Sequence, residues 1–405
     1  MSLALHTSDL DVIGAGFVHL DHAATAPCVR AAADAVNALL PSYGSVHRGT
    51  GPRSQTSTLE YERARDVIAE FLGCRRGDQV VFTRNTTDAL NLLARSLPAG
   101  TTTIVFAGEH HANLLPWPSP LRLPVPSLPS AAVASVAAAL RSVCGPVLLA
   151  VTGASNVTGE VWPLPELIAT AHAHGARVVV DAAQLAPHAA ISLASLGADY
   201  VALSGHKLYA PFGAGVLAGR ADWLDAAPPY LAGGGASAAV GDATGDVRWQ
   251  TGPARHEGGT PNLLGAVSLA AVCSALAAAD RAALQDHEQE LLAQLREGLR
   301  RVPGAAEVSL FRTARPRVGI VSFAVPGRDP GAVATALADR YGIGVRAGQF
   351  CAHPLVRHLT GSVVATLSES GNAGCGGGLV RASFGLGTTA ADIDSLLVAL
   401  AEVLA

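Results

Sequence analysis

The sequence predicts an α/β fold with a large domain on a mostly parallel sheet and a smaller C-terminal α/β domain. Three observations point there. Short β-rich runs alternate with helical patterns from residue 79 onward. Those runs are apolar throughout rather than alternating, as in strands covered on both faces. Several of them end in polar residues, and the carboxyl ends of strands are where open parallel sheets collect ligands.

The elements follow in order. Gln79–Thr83 reads as a strand and Thr86–Leu97 as a helix. Thr103–Ala107, Val147–Thr152, Arg177–Asp181, Tyr200–Ser204 and Ala214–Ala218 read as further strands, with a helix over Pro163–His174 between two of them. Pro116–Pro129 holds six prolines and reads as an extended loop. Gly233–Gly245 is glycine-rich and reads as a mobile surface loop. Leu263 to Arg301 reads as helical, first apolar and then charged, with Pro303 as the stop. The runs "VGIVSFAV", "GIGVRAG" and "GLVRASFG" then supply the small domain, closed by a helix over Ala390–Leu404. The expected division is an N-terminal arm over 1–20, a large domain over 21–262, and a linking helix plus small domain over 263–405.

Composition narrows the function classes. Charged residues are 15% of the 405, against about a quarter in typical domains, and apolar residues are 49%. Low charge with many small residues suits a sizeable oligomer interface. A net charge of −4 without a dense Lys/Arg block argues against nucleic acid and anionic membranes as partners. The longest uncharged stretch, Thr260 to Ala279, is mostly Ala mixed with Ser, Asn, Gly and Pro, and reads as a buried helix rather than a membrane span. The start, "MSLALHTSDLD", lacks the basic flank and apolar core of a secretory signal. Six cysteines at 28, 74, 144, 273, 351 and 375 form no Cys-x-x-Cys pair, so a reduced cytoplasmic protein is expected.

Five strand ends carry candidate chemistry. Thr83 leads into Asn85-Thr86-Thr87 at a helix start, and Glu109-His110-His111 follows the next strand. Thr152 leads into Ser155-Asn156, Asp181 ends "ARVVVD" with Gln184 three residues on, and Ser204-Gly205-His206-Lys207 follows "YVAL". Singly, a Thr pair is an N-cap and an Asp after a strand is a turn former. Together they match one cofactor. The helix start offers N–H groups to a phosphate, with Ser204 and His206 as further donors. Asp181 suits a protonated pyridine nitrogen, a histidine suits a ring stack, and Lys207 suits an imine. That set describes pyridoxal 5'-phosphate, PLP. A lysine in a dry site loses proton affinity, which makes its amine nucleophilic. Neither a Gly-x-Gly-x-x-Gly after an early strand nor a Gly-x-x-x-x-Gly-Lys loop is present, which weakens a nucleotide-binding reading.

The ordered motifs carry a resemblance. They run from "LDHAATAP" (Leu20–Pro27) through "SVHRGTGPRS" (Ser45–Ser54), "FTRNTTDALNLLA" (Phe82–Ala94), "EHHANLLPW" (Glu109–Trp117) and "SNVTGEVWPL" (Ser155–Leu164). They continue with "VDAAQLAPH" (Val180–His188), "SGHKLYAPFGAGVL" (Ser204–Leu217), "EGGTPN" (Glu257–Asn262), "VRAGQFCAHPL" (Val345–Leu355) and "VRASFGLGTT" (Val380–Thr389). With these the chain resembles the class V aminotransferase family of fold-type I PLP enzymes, and within it the cysteine desulfurase and selenocysteine lyase branch.

The resemblance implies roles by position. Lys207 would carry PLP as an imine, Asp181 would hold its ring nitrogen, and Gln184 would contact its phenolic oxygen. His110 would stack on the ring, in preference to His111. Thr86, Thr87, Ser204 and His206 would cradle the phosphate, and Thr260 would reach the phosphate of a neighbouring subunit in a homodimer. Arg381 would clamp the substrate carboxylate with Asn156 beside it, and Arg346 would lie next to the cysteine loop. Cys351 would be the nucleophile that takes sulfur from an amino-acid substrate, L-cysteine or a relative, for a possible acceptor protein. Cys28, Cys74, Cys144 and Cys273 read as packing, and Cys375 as an accessible or merely exposed thiol.

Three departures from the desulfurase pattern leave sister activities open. Gln349-Phe350 stand where the branch shows His-His, the stretch from Cys351 to Arg381 is longer, and His22 and Asn85 replace the usual Asn and Gly. An aminotransferase, an amino-acid epimerase or a C–S lyase starts from the same residues. A catalytically silent scaffold is disfavoured by the joint presence of Lys207, Asp181, Gln184 and Arg381.

Overall fold

The computed structural model describes residues 7–14, 16–243, 245–368 and 377–405. Its central sheet has seven strands: β1 (Asp78–Thr83), β2 (Thr102–Phe106), β3 (Pro120–Leu123), β4 (Val147–Thr152), β5 (Arg177–Asp181), β6 (Tyr200–Ser204) and β7 (Gly215–Arg220). Their order across the sheet is β1-β7-β6-β5-β4-β2-β3. The run from β6 through β3 is parallel, and β7 alone lies antiparallel to both its neighbours.

The unbroken apolar runs have a simple cause. Leu149, Val151, Val178 and Val180 point into one core, while Leu148, Ala150 and Val179 point into the core on the other face. A strand covered twice has no polar face to alternate with. Helix α1 (Pro52–Phe71) lies on the same side as the first of these cores. Helix α2 (Thr86–Ser96) backs the second, burying Leu90, Leu92 and Leu93.

Helices α3 (Leu263–Ala278) and α4 (Arg281–Leu299) replace the single long helix expected over 263–301. They meet at 91°, with Asp280 capping α4 through Ala283 N–H. Helix α3 packs on α1, and its Leu269, Val272 and Leu276 join the core of the large sheet. It is buried around most of its circumference, which explains an apolar sequence without helical periodicity. Among the described residues no single helix is long and apolar enough to cross a membrane.

The small domain is a four-stranded antiparallel sheet of β8 (Ala306–Glu307), β9 (Ile320–Ala324), β10 (Arg346–Gly348) and β11 (Leu379–Ser383), in the order β8-β9-β11-β10. Helices α4 and α5 (Ala390–Leu404) cover it, the latter opened by a Thr389–Asp392 capping box. The N-terminal arm ends in this domain: Val18–His19 pairs with Ile343–Gly344, and Leu20 enters its core.

Two expected loops contain regular elements. The proline-rich stretch contains β3, an edge strand, where a missing N–H costs no ladder bond. Its last proline, Pro129, opens a helix to Ser142, a position that needs no N–H donor. Within Gly233–Gly245, Ser237–Val240 pairs antiparallel with Val247–Trp249. Cys144 follows the Pro129–Ser142 helix and is exposed rather than packed. Cys28 and Cys74 are partly buried, and Cys273 is fully inside. Cys375 lies outside the described residues, as does part of the long stretch between Cys351 and Arg381.

Candidate active site

A cavity of about 260 Å³ opens at the carboxyl ends of β1, β4, β5 and β6, where the small domain meets the sheet. It is lined by Thr86, Thr87, His110, Asn156, Asp181, Gln184, Ser204, His206, Lys207, Arg346, Cys351 and Arg381, so every residue predicted for the site except Thr260 lies on one wall or another. Thr260 faces a separate cavity of about 700 Å³ beside Arg48 and Gly235.

At one end, helix α2 presents its N-terminus. Asn85 caps it with extended backbone (φ −173°), accepting from Asp88 N–H at 3.0 Å. Capping is therefore what Asn85 supplies in place of the usual Gly. Ser204 Oγ accepts from Thr86 N–H at 2.8 Å and bonds Thr86 Oγ1 at 2.7 Å, which fixes the turn to β6. Gly215 lets this turn approach, since a Cβ there would lie 2.4 Å from Asn85 Cα. Thr87 lines the cavity with its N–H and hydroxyl unpartnered among the described residues. His206 Nδ1 is 3.2 Å from Thr25 Oγ1.

The middle of the cavity holds the titratable groups. Asp181 is buried at the end of β5, accepting from Ala183 N–H at 2.9 Å, and burial pushes its carboxyl up. Lys207 Nζ makes no hydrogen bond among the described residues. Burial lowers its pKa to about 8, against the pull of Asp181. Gln184 Nε2 donates to Ala23 O at 2.8 Å, which orients its amide. His110 Nδ1 accepts from Ala112 N–H at 3.1 Å, so the ring is neutral with any proton on Nε2. Burial first, then Lys207, holds its pKa down at about 3. His111 turns away from the cavity, its ring 4.5 Å from that of His353. Behind His110, Glu109 is buried, accepting from Thr152 N–H and Asn113 Nδ2 at 3.0 Å each, and desolvation raises it to about 8.

At the far end sit two arginines from adjacent strands. Arg381 on β11 donates to Asn156 O at 2.9 Å and to Asp21 Oδ1 at 3.0 Å, and its Nε is buried without a partner among the described residues. Arg346 on β10 reaches Asp21 Oδ2 at 3.4 Å. Asp21, which sequence reasoning missed, thus orients both guanidiniums. The signal was in the "LDHAAT" motif, two residues from the Ala23 that lines the cavity. His22 beside it does not line the cavity but packs, buried, with its ring 5.1 Å from His19.

Cys351 is exposed at the cavity rim. It and Phe350 both adopt left-handed backbone, φ 52° and 49°. Each such non-glycine residue costs about 1–3 kcal/mol and needs an outside hold. That hold is present: Asn156 Nδ2 donates to Phe350 O at 2.8 Å, and His111 N–H donates to Cys351 O at 2.7 Å.

These residues fit PLP. A buried carboxylate faces an unbonded lysine, a helix start offers free donors, and the orphaned Arg381 Nε offers a donor to an anion. Together they allow imine formation at Lys207, anion binding at two separated points, and attack by a thiol from the rim.

Comparison with known proteins agrees. A family model described as aminotransferase class-V matches residues 18–396. A cysteine desulfurase of Klebsiella pneumoniae is 34% identical over 411 residues, covering 97% of this chain and 95% of that protein. One of Salmonella typhimurium is 34% identical over 359 residues, covering 85% of this chain and 87% of that protein. Among solved structures, the cysteine desulfurase CsdA of Escherichia coli, in an S-sulfonic acid form, superposes with a TM-score of 0.79 at 33% identity, over 96% of this chain and 94% of that one. The apo cysteine desulfurase of Thermococcus onnurineus superposes with a TM-score of 0.80 at 30% identity, over the same shares. A cystine C–S lyase at 21% identity shares the fold, with a TM-score of 0.75.

Proposed function

The chain belongs to the aminotransferase class-V family, and on that premise we propose that it is a PLP enzyme that moves sulfur from L-cysteine onto Cys351. The observation that carries the reading is the exposed Cys351 thiol on the rim of the cavity that also holds Lys207 and Arg381.

PLP would be held by Lys207, Asp181, Gln184, His110 and the Thr86–Thr87 turn. When bound it supplies the electron sink that acidifies the substrate Cα–H. The chain's own residues do the rest. Arg381 binds the substrate carboxylate through its free Nε edge, with Asn156 alongside. Lys207, whose amine is neutral for part of the time near pH 8, takes the Cα proton and later returns one. The Cys351 thiolate attacks the substrate sulfur. An S–S bond forms as the substrate C–S bond breaks, and the electron pair left on the β-carbon is protonated, releasing alanine. Cys351 is left as a persulfide, whose exposure suits transfer to the thiol of an acceptor protein. A homodimer and a cytoplasmic setting belong to the same proposal. Thr260, remote from this cavity in its own chain, would then serve a neighbouring subunit.

The second reading is C–S elimination, favoured by Phe350, which stands where the desulfurase pattern has a histidine. A product assay with L-cysteine and a reductant, run beside Cys351→Ala, separates the two. Alanine matched by sulfide, and lost in the variant, supports desulfuration. Pyruvate with sulfide from both proteins establishes the lyase. No product from either removes cysteine as the substrate.

A further inference from the structure

A further cavity, of about 90 Å³, lies between the chain that follows β5 and β6, the corner where α3 turns into α4, and the loop after β11. Part of its wall is apolar, from Pro187, Leu276, Leu284, Leu291 and Leu386. Its polar groups are unevenly satisfied. Glu288 is engaged at both oxygens, by His188 Nδ1 at 2.5 Å and by Gly319 N–H at 3.0 Å. His287 Nε2 meets Thr388 O at 3.1 Å.

Arg281 is different. Its guanidinium makes no hydrogen bond or ion pair among the described residues, and its Nη1 is buried. The guanidinium lies over the Phe71 ring, 5.7 Å from its centre. It also stands at the first position of α4, where the helix dipole opposes a cation. The residue is half-buried, and a guanidinium nitrogen taken out of water without an acceptor is costly.

Tyr209 is the second unfinished group. Its hydroxyl accepts from Leu386 N–H at 3.0 Å, but its own proton goes to no acceptor among the described residues. The side chain is 1% exposed and lines the same cavity. Gly385 leaves room for it, because a Cβ there would lie 2.2 Å from the hydroxyl. One cation and one hydroxyl donor therefore line this cavity without a bonded acceptor among the described residues, since Glu288 is engaged by His188 and Gly319.

We infer that this cavity is a binding site for a small aliphatic carboxylate, gripped by Arg281 and Tyr209 with its alkyl tail against the leucines. The space favours a short chain. A water takes roughly 10–15 Å³ by this measure, so the cavity has room for roughly six to nine waters, enough for a short-chain acid such as propionate. Apolar walls disfavour inorganic oxyanions, which need donors on all sides. The site is separate from the substrate clamp at Arg381 and does not rest on the reaction proposed above.

The test is calorimetric titration of the PLP-loaded protein in an Arg381→Ala background, which removes carboxylate binding at the active site. Sodium propionate is the probe, with sodium phosphate and sodium chloride at matched ionic strength. The expected result is saturable propionate binding in the millimolar range, lost in Arg281→Gln and weakened several-fold in Tyr209→Phe, which keeps the ring. If Arg281→Gln does not fold, Tyr209→Phe alone decides. No saturable binding, or binding undiminished in the variants, overturns the site. Phosphate bound as tightly as propionate overturns the carboxylate assignment.

Discussion

The guanidinium of Arg381 lies 4.8 Å from the centre of the Phe350 ring, face on. The contact closes a small circuit. Arg381 donates to Asn156 O, Asn156 Nδ2 donates to Phe350 O, and the Phe350 ring returns to Arg381. The group expected to bind the substrate carboxylate and the loop that presents Cys351 are therefore one unit.

Truncating Phe350 opens that circuit. A desolvated cation–π contact is worth about 2 kcal/mol, so Phe350→Ala is expected to raise KM for the amino acid roughly 30-fold. Its kcat should fall less, because Lys207 is untouched. Steady-state kinetics checks this, and an unchanged KM would show that Arg381 holds its position without the ring.

Gly215→Ala tests the phosphate turn. The added methyl would sit 2.4 Å from Asn85 Cα, a backbone atom that cannot swing aside. Overpacking of this kind costs about 1–3 kcal/mol, concentrated here on the start of α2. The expected outcome is weaker retention of PLP, read as loss of visible absorbance on dialysis, with Gly361→Ala as the control. Gly361 lies within the helix His353–Ser368, and nothing lies within 4 Å of a Cβ there. Full retention in Gly215→Ala would place the phosphate elsewhere.

Much of this was legible in the chain itself. The strand ends were readable because polar residues break an apolar run abruptly, as Asp181 does after Val178–Val180. The edge strand β3 was hidden because its prolines look like loop chemistry, and only its edge position makes them harmless. The left-handed pair Phe350–Cys351 was hidden too, since neither residue is a glycine. The cavity at Arg281 could not be read at all. It joins residues near 187, 209, 281 and 386, whose spacing carries no local pattern.

Lys207 should make the PLP-free protein less stable near neutrality. Its pKa falls from 10.5 in the unfolded chain to about 8 when folded. Between those values the unfolded chain binds more protons, so stability rises with pH. Lys207→Met removes the burden. Its gain is expected to be on the order of 3 kcal/mol at pH 7 and to shrink below about 1 kcal/mol by pH 10. Urea denaturation of the two PLP-free proteins at both pH values measures it, and a gain independent of pH would mean that the amine is not desolvated.

His110 works in the opposite pH range. Its folded pKa of about 3 lies below the unfolded value of 6.5, so the folded form resists protonation that the unfolded chain accepts. The stability due to a neutral His110 is complete above pH 6.5 and is lost as pH falls towards 3. His110→Phe keeps a ring able to stack but cannot titrate. At pH 7 the variant should be less stable by about 1 kcal/mol, because Ala112 N–H loses its acceptor. At pH 5 the linkage amounts to roughly 2 kcal/mol against the wild type, so the order of stability should reverse. Urea titrations of the PLP-free proteins at the two pH values check the sign. An equal gap at pH 5 and pH 7 would mean that the His110 ring is reached by water and protonates as freely as in the unfolded chain.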